Sequence, residues 1–390
     1  MPRLLSFSST FSTVSAVSIT AAFLLAGSAF AAAPSLNLAS ALADTKALLS
    51  SGQAADIVVL GDSLSVRPGA YLPFFRDRLQ QQYGNAGAGF QGMSVWTGAA
   101  FNNGWRREGI NADTGARRSL DGLWTQFDGF TAPSNTAIFT PIDRKVQLQY
   151  VTQPGGGSFL VREGDGGNAV TTISTNGPAN QVRTYEYQLP EGQTRYSIDP
   201  MRDGAVTILG QNNVRETGGV RIHRGANGGW GVDNFLNRDS TFDQQLSLLG
   251  TDLVMVWLGQ NDQAYTRATY AQKINALVDR VQGSAPDAEV VLIGTYDQGS
   301  AALAGLVEGM ADVAASRGVG FVNLYGTAGN AAFFNTNGYL DDGVHFSPAG
   351  GQYLGNFLYD AFVSDGASLV PEPTGLGALL VAGAMLLRRR

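Results

Sequence analysis

The stretch Asp56-Ile57-Val58-Val59-Leu60-Gly61-Asp62-Ser63-Leu64 decides the reading of this chain. Five residues, four of them aliphatic, end abruptly in glycine, aspartate and serine. A short apolar run bounded by turn residues reads as a buried strand of a parallel sheet. The serine then stands at the strand's carboxyl end, the edge where open α/β sheets bind ligands. A serine there becomes a nucleophile only when a base and oxyanion donors come from elsewhere in the chain.

The search for a base is short, because the 390 residues include two histidines, His223 and His345, and no cysteine. Disulfides, thiol nucleophiles and thiolate metal sites are excluded, little remains for a zinc site, and no cofactor is expected. Asp342-Gly343-Val344-His345 places an aspartate three residues before a histidine. Within one tight turn such an aspartate reaches Nδ1, fixes the tautomer and leaves Nε2 to accept a serine proton. The same four residues also read as a loop held by a hydrogen-bonded histidine. His223 has no acid three residues before it and is either a rival base or a residue lining the substrate site. Leu258-Gly259-Gln260-Asn261-Asp262 follows another apolar run. Asn261 there is either an amide donor to an oxyanion or a turn and helix cap.

Beyond these segments the chain alternates strand and helix patterns. Residues 70–83 carry Tyr71, Leu72, Phe75, Leu79 and Tyr83 near helical spacing, and Leu38 to Leu49 reads as a helix in an Ala/Ser/Leu-rich lead-in. Strands are predicted at 253–258, 289–293 and 320–324, with helices at 266–283 and 302–316. Such alternation gives right-handed crossovers and a mostly parallel sheet. From 106 to 214 the texture changes to short alternating runs separated by Gly155-Gly156-Gly157, Gly164 to Gly167, Asn176-Gly177-Pro178 and Asp203-Gly204. That spacing predicts an inserted antiparallel sandwich. Gly87-Ala88-Gly89-Phe90-Gln91-Gly92 matches the dinucleotide fingerprint in letters, but it follows a helix and reads as a glycine-rich loop. No Gly-x-Ser-x-Gly elbow occurs. Trp96, Trp105 and Trp230 are either sugar-stacking rings or packing residues.

The catalytic segments together identify the chain as resembling the SGNH, or GDSL, hydrolase superfamily. The match is Gly61-Asp62-Ser63-Leu64, Gly259-Gln260-Asn261-Asp262 and Asp342-Gly343-Val344-His345, in the family's order. The resemblance implies a three-layer α/β/α fold with a mostly parallel sheet, here interrupted by the antiparallel β-sandwich. The core is then expected over 45–105 and 215–365, with the insert at 106–214. It further implies Ser63 as nucleophile, His345 as base and Asp342 as its orienter. The oxyanion hole is implied to comprise the Ser63 N–H, the Asn261 side chain and a glycine N–H from 218–229. Register with the family's Gly-x-x-Gly form puts that donor at Gly228, with Gly229 and Gly225 as alternatives. Asp62 and Asp262 are read as loop-holding residues. The layout, including Tyr83 to Phe90 and Gln153-Pro154-Gly155-Gly156-Gly157-Ser158-Phe159, is similar to the branch of peptidoglycan O-acetylesterases and alginate-type O-acetyltransferases. There the insert is similar to a carbohydrate-binding module. The implied partner is an acylated polysaccharide or peptidoglycan. Polysaccharide O-acetyl transfer, general lipid or aryl ester hydrolysis and non-catalytic matrix binding are the competing readings, and His223 and Trp230 are the candidate substrate-binding residues.

Both ends read as processing signals. Arg3, an apolar stretch and Ala29-Phe30-Ala31 predict a signal peptide over 1–31. At the other end Pro371-Glu372-Pro373, the apolar run Gly375 to Leu387 and Arg388-Arg389-Arg390 resemble a PEP-CTERM sorting tail over 370–390. The apolar run is short of the roughly 17–25 residues that span a bilayer, while its basic end fits a cytoplasmic flank. The resemblance implies export to the periplasm, envelope or extracellular matrix. It also implies transient membrane anchoring and an exosortase as processing partner. The net charge of −6 leaves no basic footprint for nucleic acid. A charged fraction of 15% with 50 glycines suits a turn-rich exported protein.

Overall fold

The computed structural model describes residues 35–93, 99–101, 105–107, 117–127 and 136–367. The signal peptide, the sorting tail and Trp96 lie outside these residues, and only the backbone of 99–101 and 105–107 is described. In chain order the elements are β1 (Ser35–Leu36), α1 (Ala43–Ser50), β2 (Ala54–Gly61), α2 (Ser63–Val66), α3 (Leu72–Tyr83) and β3 (Gly89–Gly92). Next come β4 (Ala99–Phe101), β5 (Trp105–Arg107), β6 (Thr125–Phe127), β7 (Ala137–Phe139), β8 (Lys145–Thr152), β9 (Ser158–Glu163) and β10 (Ala169–Ser174). They are followed by β11 (Gln181–Gln188), β12 (Tyr196–Pro200), β13 (Val206–Val214), β14 (Gly219–Ala226), α4 (Val232–Leu236) and α5 (Ser240–Leu248). The last part holds β15 (Leu253–Leu258), α6 (Arg267–Ser284), β16 (Glu289–Gly294), α7 (Ala301–Arg317), β17 (Gly320–Asn323), α8 (Leu324–Thr327), α9 (Ala331–Thr336) and α10 (Pro348–Val363).

The catalytic sheet runs β1-β17-β16-β15-β2-β14. Its five long strands are parallel and only β1 is antiparallel, against β17. Both faces of such a sheet must be covered, which is why β2 and β15 are almost continuously apolar. Ala55, Ile57 and Val59 face one core with Phe75 and Leu79 of α3 and Leu354, Leu358 and Phe362 of α10. Val58 and Leu60 face the other, with Phe235, Phe242, Ile274, Leu277, Leu303 and Leu306 of α4 to α7. This is the three-layer α/β/α arrangement that the sequence predicts.

Strand order reverses at β2: the chain runs from β2 to β14 on one side, then crosses to β15 on the other. A crevice opens at such a switch point beyond the carboxyl ends of the strands. The antiparallel insert occupies the connection between α3 and β14 as two sheets, β10-β9-β12-β7-β4 and β11-β8-β13-β6-β5, with β3 also paired to β13. They enclose their own core of Phe127, Phe139, Leu148, Phe159, Tyr196 and Ile208.

Two boundaries differ from the sequence reading. The pattern places the start of the insert at 106, but β3 and β4 already belong to it. Strands this short, one of them rich in glycine, leave no alternation to read. The last four residues of the fingerprint-like Gly87 to Gly92 are strand β3, and its glycines answer a need for close approach. A Cβ on Gly89 would stand 2.1 Å from the Ile222 carbonyl oxygen, and one on Gly92 2.2 Å from Asp121. The lead-in helix, read from Leu38, starts at Ala43, because Ser35 and Leu36 pair with β17 instead.

Candidate active site

Three loops at the carboxyl edge of the sheet and one from beyond α9 build the site. The loop after β2 turns directly into α2, with Ser63 as its first residue. Asp62 caps that turn by accepting the Leu64 N–H at 2.8 Å. Gly61 has to be glycine: a Cβ would lie 2.3 Å from Ser65 Oγ, inside the same turn. Past α9, the Asp341 N–H donates to the His345 carbonyl at 2.8 Å and closes a tight turn. Gly343 takes φ +82°, a conformation that suits glycine. The turn rests on an aromatic floor, in which Phe346 packs on Trp257 and Tyr296, and Tyr296 Oη donates to the Val344 carbonyl at 2.6 Å.

This brings His345 Nε2 to 2.8 Å from Ser63 Oγ across 282 residues of sequence. Asp342 accepts at 2.8 and 3.0 Å from His345 Nδ1. The same carboxylate also takes the backbone N–H of His345 at 2.8 Å and of Val344 at 3.2 Å. The backbone N–H of His345 first, its imidazole second and the Val344 N–H after them hold the Asp342 carboxyl well below the usual carboxylate range. Asp342 therefore stays ionised and orients the ring with its Nδ1 proton inward. Arg67 Nη1 donates to Asp342 Oδ2 at 3.0 Å. It also lies 2.7 Å from His345 Nδ1, but one ring nitrogen carries one proton, and the carboxylate takes it; the Arg67 bond is to Asp342.

Asn261 stands in the loop after β15, and its Nδ2 donates to the Trp230 carbonyl at 2.9 Å. One amide hydrogen is thus fixed and the second remains for a ligand. Asp262 ties this loop to the one after β14 by accepting the Val232 N–H at 3.0 Å. A Cβ on Gly231 would come within 2.3 Å of that carboxylate. Of the three glycines proposed for the oxyanion donor, Gly225 lies inside β14 in register with Leu60. Gly228 and Gly229 line the cavity. Among the described residues no protein acceptor takes the Gly228 N–H, while the neighbouring Asn227 N–H is bound to the Gly61 carbonyl.

Ser63, Asp342, His345, Asn261 and Gly228 all line one cavity of about 970 Å³. His223 and Trp230 do not, and as substrate-lining residues they are corrected. His223 is fully buried, accepts the Phe90 N–H on Nδ1 at 2.9 Å and therefore donates from Nε2 to Asp56 at 2.8 Å. Trp230 is 2% exposed, edge-on to Phe235 and under the Arg238 guanidinium. Both are residue types found at sites and in cores alike, and their faces in the fold decide which. The cavity also holds Arg67, Arg224, Leu123 and Gln260, which the sequence reading does not single out. Arg67 was findable as Ser63's neighbour one helical turn on; nothing local marks Arg224.

Residues 200–353 match the model of the GDSL-like lipase/acylhydrolase family. The chain also superposes on a peptidoglycan O-acetylesterase with a TM-score of 0.69 at 20% identity, covering 84% of this chain and 96% of that one. Residues 200–353 are thus similar to that family, and the superposition shows the same fold. The family match holds the Asn261 and His345 segments of this chain but not Ser63, which the insert separates from them in sequence. The superposition covers more of the chain than the catalytic core alone supplies, so it extends into the sandwich. A family two carbohydrate esterase from Cellvibrio japonicus aligns at 13% identity over 56% of this chain and 84% of that one, with a TM-score of 0.23. No curated protein matches the chain by sequence.

Asp62 and Asp262 lie beneath this site and carry a pH dependence of stability. Burial is the main cause that pushes the Asp62 carboxyl up to about 7 and that of Asp262 to about 6. Among the described residues, one oxygen of each has no partner. Between roughly pH 4 and 7 the folded state therefore holds protons that the unfolded chain releases, so stability is full below about 4 and falls as pH rises through the folded values. At about 1.4 kcal/mol per unit, Asp62 alone accounts for on the order of 4 kcal/mol. Asp62→Asn keeps the cap acceptor and cannot ionise. Thermal melts from pH 4 to 8 should show a falling Tm in the wild type and a markedly flatter profile in the variant; parallel profiles would contradict the assignment.

Proposed function

We propose that this chain is an exported serine esterase of the SGNH type that removes O-acetyl groups from polysaccharide or peptidoglycan. The observation that carries the reading is the 2.8 Å contact of Ser63 Oγ with His345 Nε2, with Asp342 on the far nitrogen, at an open cavity. Ser63 Oγ attacks the ester carbonyl while His345 Nε2 takes its proton. The Ser63 N–H, the Gly228 N–H and the free Asn261 amide hydrogen receive the oxyanion. Collapse expels the sugar hydroxyl, protonated by His345, and leaves acetyl-Ser63. Water then attacks with the same histidine as base, releasing acetate and the free serine.

A cavity of about 970 Å³ lies at the upper end of the range typical of ligand pockets and suits a glycan better than a small ester alone. The likeness to a peptidoglycan O-acetylesterase supports the substrate class. Export and exosortase processing belong to the same proposal and rest on residues 1–31 and 370–390. Acetate release from acetylated xylan, peptidoglycan and p-nitrophenyl acetate tests it. Turnover of p-nitrophenyl acetate with no release from any glycan would leave an esterase and remove the carbohydrate assignment.

Asn261→Ala should lower kcat by about 10²–10³, or roughly 3–4 kcal/mol of transition-state stabilisation, with little change in KM. Steady-state kinetics on p-nitrophenyl acetate check this. A kcat within threefold of wild type would remove Asn261 from the oxyanion hole.

A further inference from the structure

Strand β14 carries Val220, Ile222 and Arg224 on one face by simple alternation. The first two join the core with α3, while Arg224, in register with Val59, extends to the cavity rim. Its surroundings do not use it. Among the described residues no hydrogen bond or ion pair reaches the Arg224 guanidinium, and Nε is buried without a partner. The nearest acid in its field, Asp121, is already engaged by Ser119 Oγ, the Leu123 N–H and the Gly92 N–H. Burial disfavours the Arg224 charge and the Asp121 field only partly offsets this. A second recess of about 130 Å³ adjoins the main cavity, and Val66, Arg67 and Arg224 line both. Arg67 is committed to Asp342, so its contribution there is its field; Arg224 has free donors.

A half-buried guanidinium with a buried, unpartnered Nε is costly unless an anion completes it, and its planar fork matches a carboxylate bidentately. We propose that Arg224 is a specificity residue that receives a carboxylate of the glycan, so that the preferred substrate is an acidic sugar acylated near its acid group. This inference rests on the esterase reading for the ester and on Arg224 for the acid. The carboxylate belongs either to a sugar acid in the chain or to a lactyl arm on an amino sugar, and the two sources separate by experiment.

Binding to full-length Ser63→Ala protein, measured by calorimetry, needs no turnover. The probes are oligogalacturonate against its methyl ester, and N-acetylmuramic acid against N-acetylglucosamine. At least one acid should bind on the order of tenfold or more tighter than its neutral counterpart, the preference shrinking as salt is raised. Which acid does so identifies the source. Arg224→Gln in the same background should abolish the preference, and Arg224→Lys, which keeps the charge but loses the fork, should retain part of it. Equal binding of acid and neutral probes in both pairs, or a preference that survives Arg224→Gln in protein with an unchanged melt, would overturn the proposal. If the acid preference holds while no glycan releases acetate, the esterase reading fails and the anion site stands.

Discussion

Ser63→Ala should lower kcat for p-nitrophenyl acetate by on the order of 10⁴–10⁶ while the protein melts as the wild type does. The expectation follows from what the substitution removes. Among the described residues Ser63 Oγ has one partner, His345 Nε2, and the side chain is small and at the cavity wall. The backbone N–H at position 63 survives as an oxyanion donor, because alanine there keeps the first position of α2 under the Asp62 cap. Any residual rate then reports the oxyanion hole and binding without a nucleophile. Steady-state kinetics with a melt on the same sample check both halves, and a loss of under tenfold would remove Ser63 from the chemistry.

Asp342→Asn should cost about 10⁴ in kcat without unfolding the loop. Asparagine keeps an oxygen to accept the backbone N–H groups of Val344 and His345, which hold the turn. In place of the second oxygen it presents an NH₂ to His345 Nδ1 and Arg67 Nη1, both of which now meet a donor. The ring answers by moving its proton to Nε2, where it can no longer accept from Ser63. Arg67 loses its acceptor too, but that pair is half exposed on both sides and adds little to stability. Kinetics on p-nitrophenyl acetate check the loss. A kcat within tenfold of wild type would mean that Asp342 does not set the tautomer.

How much of this was legible in the sequence depended on how local each feature is. The Asp342 to His345 contact spans one turn, and the composition left a single rival base, so it was readable from spacing. The long parallel strands were readable because burial on both faces leaves an unbroken apolar run. Ser63 and His345 meet because the turn past α9 rests on Trp257 of β15, the neighbour of β2, and on Tyr296 beyond β16, a long-range packing that no local pattern encodes. Where β14 ends, at Ala226, sets Gly225 apart from Gly228 and Gly229, and no local pattern gives that end. His223 and Trp230 were ambiguous because a strand face or a neighbouring ring, not the residue type, decides between core and site. Arg224 was invisible for the opposite reason: one arginine in a strand carries no signal until its partners are known to be missing.

Everything in the mechanism depends on Ser63 carrying the acyl group. Intact-mass and peptide mass spectrometry after exposure to a fluorophosphonate reads that out without reference to any substrate. One adduct per chain is expected, on the peptide containing Ser63, and none on Ser63→Ala protein of unchanged fold. An unlabelled wild type, or a label that persists in Ser63→Ala, would refute the assignment.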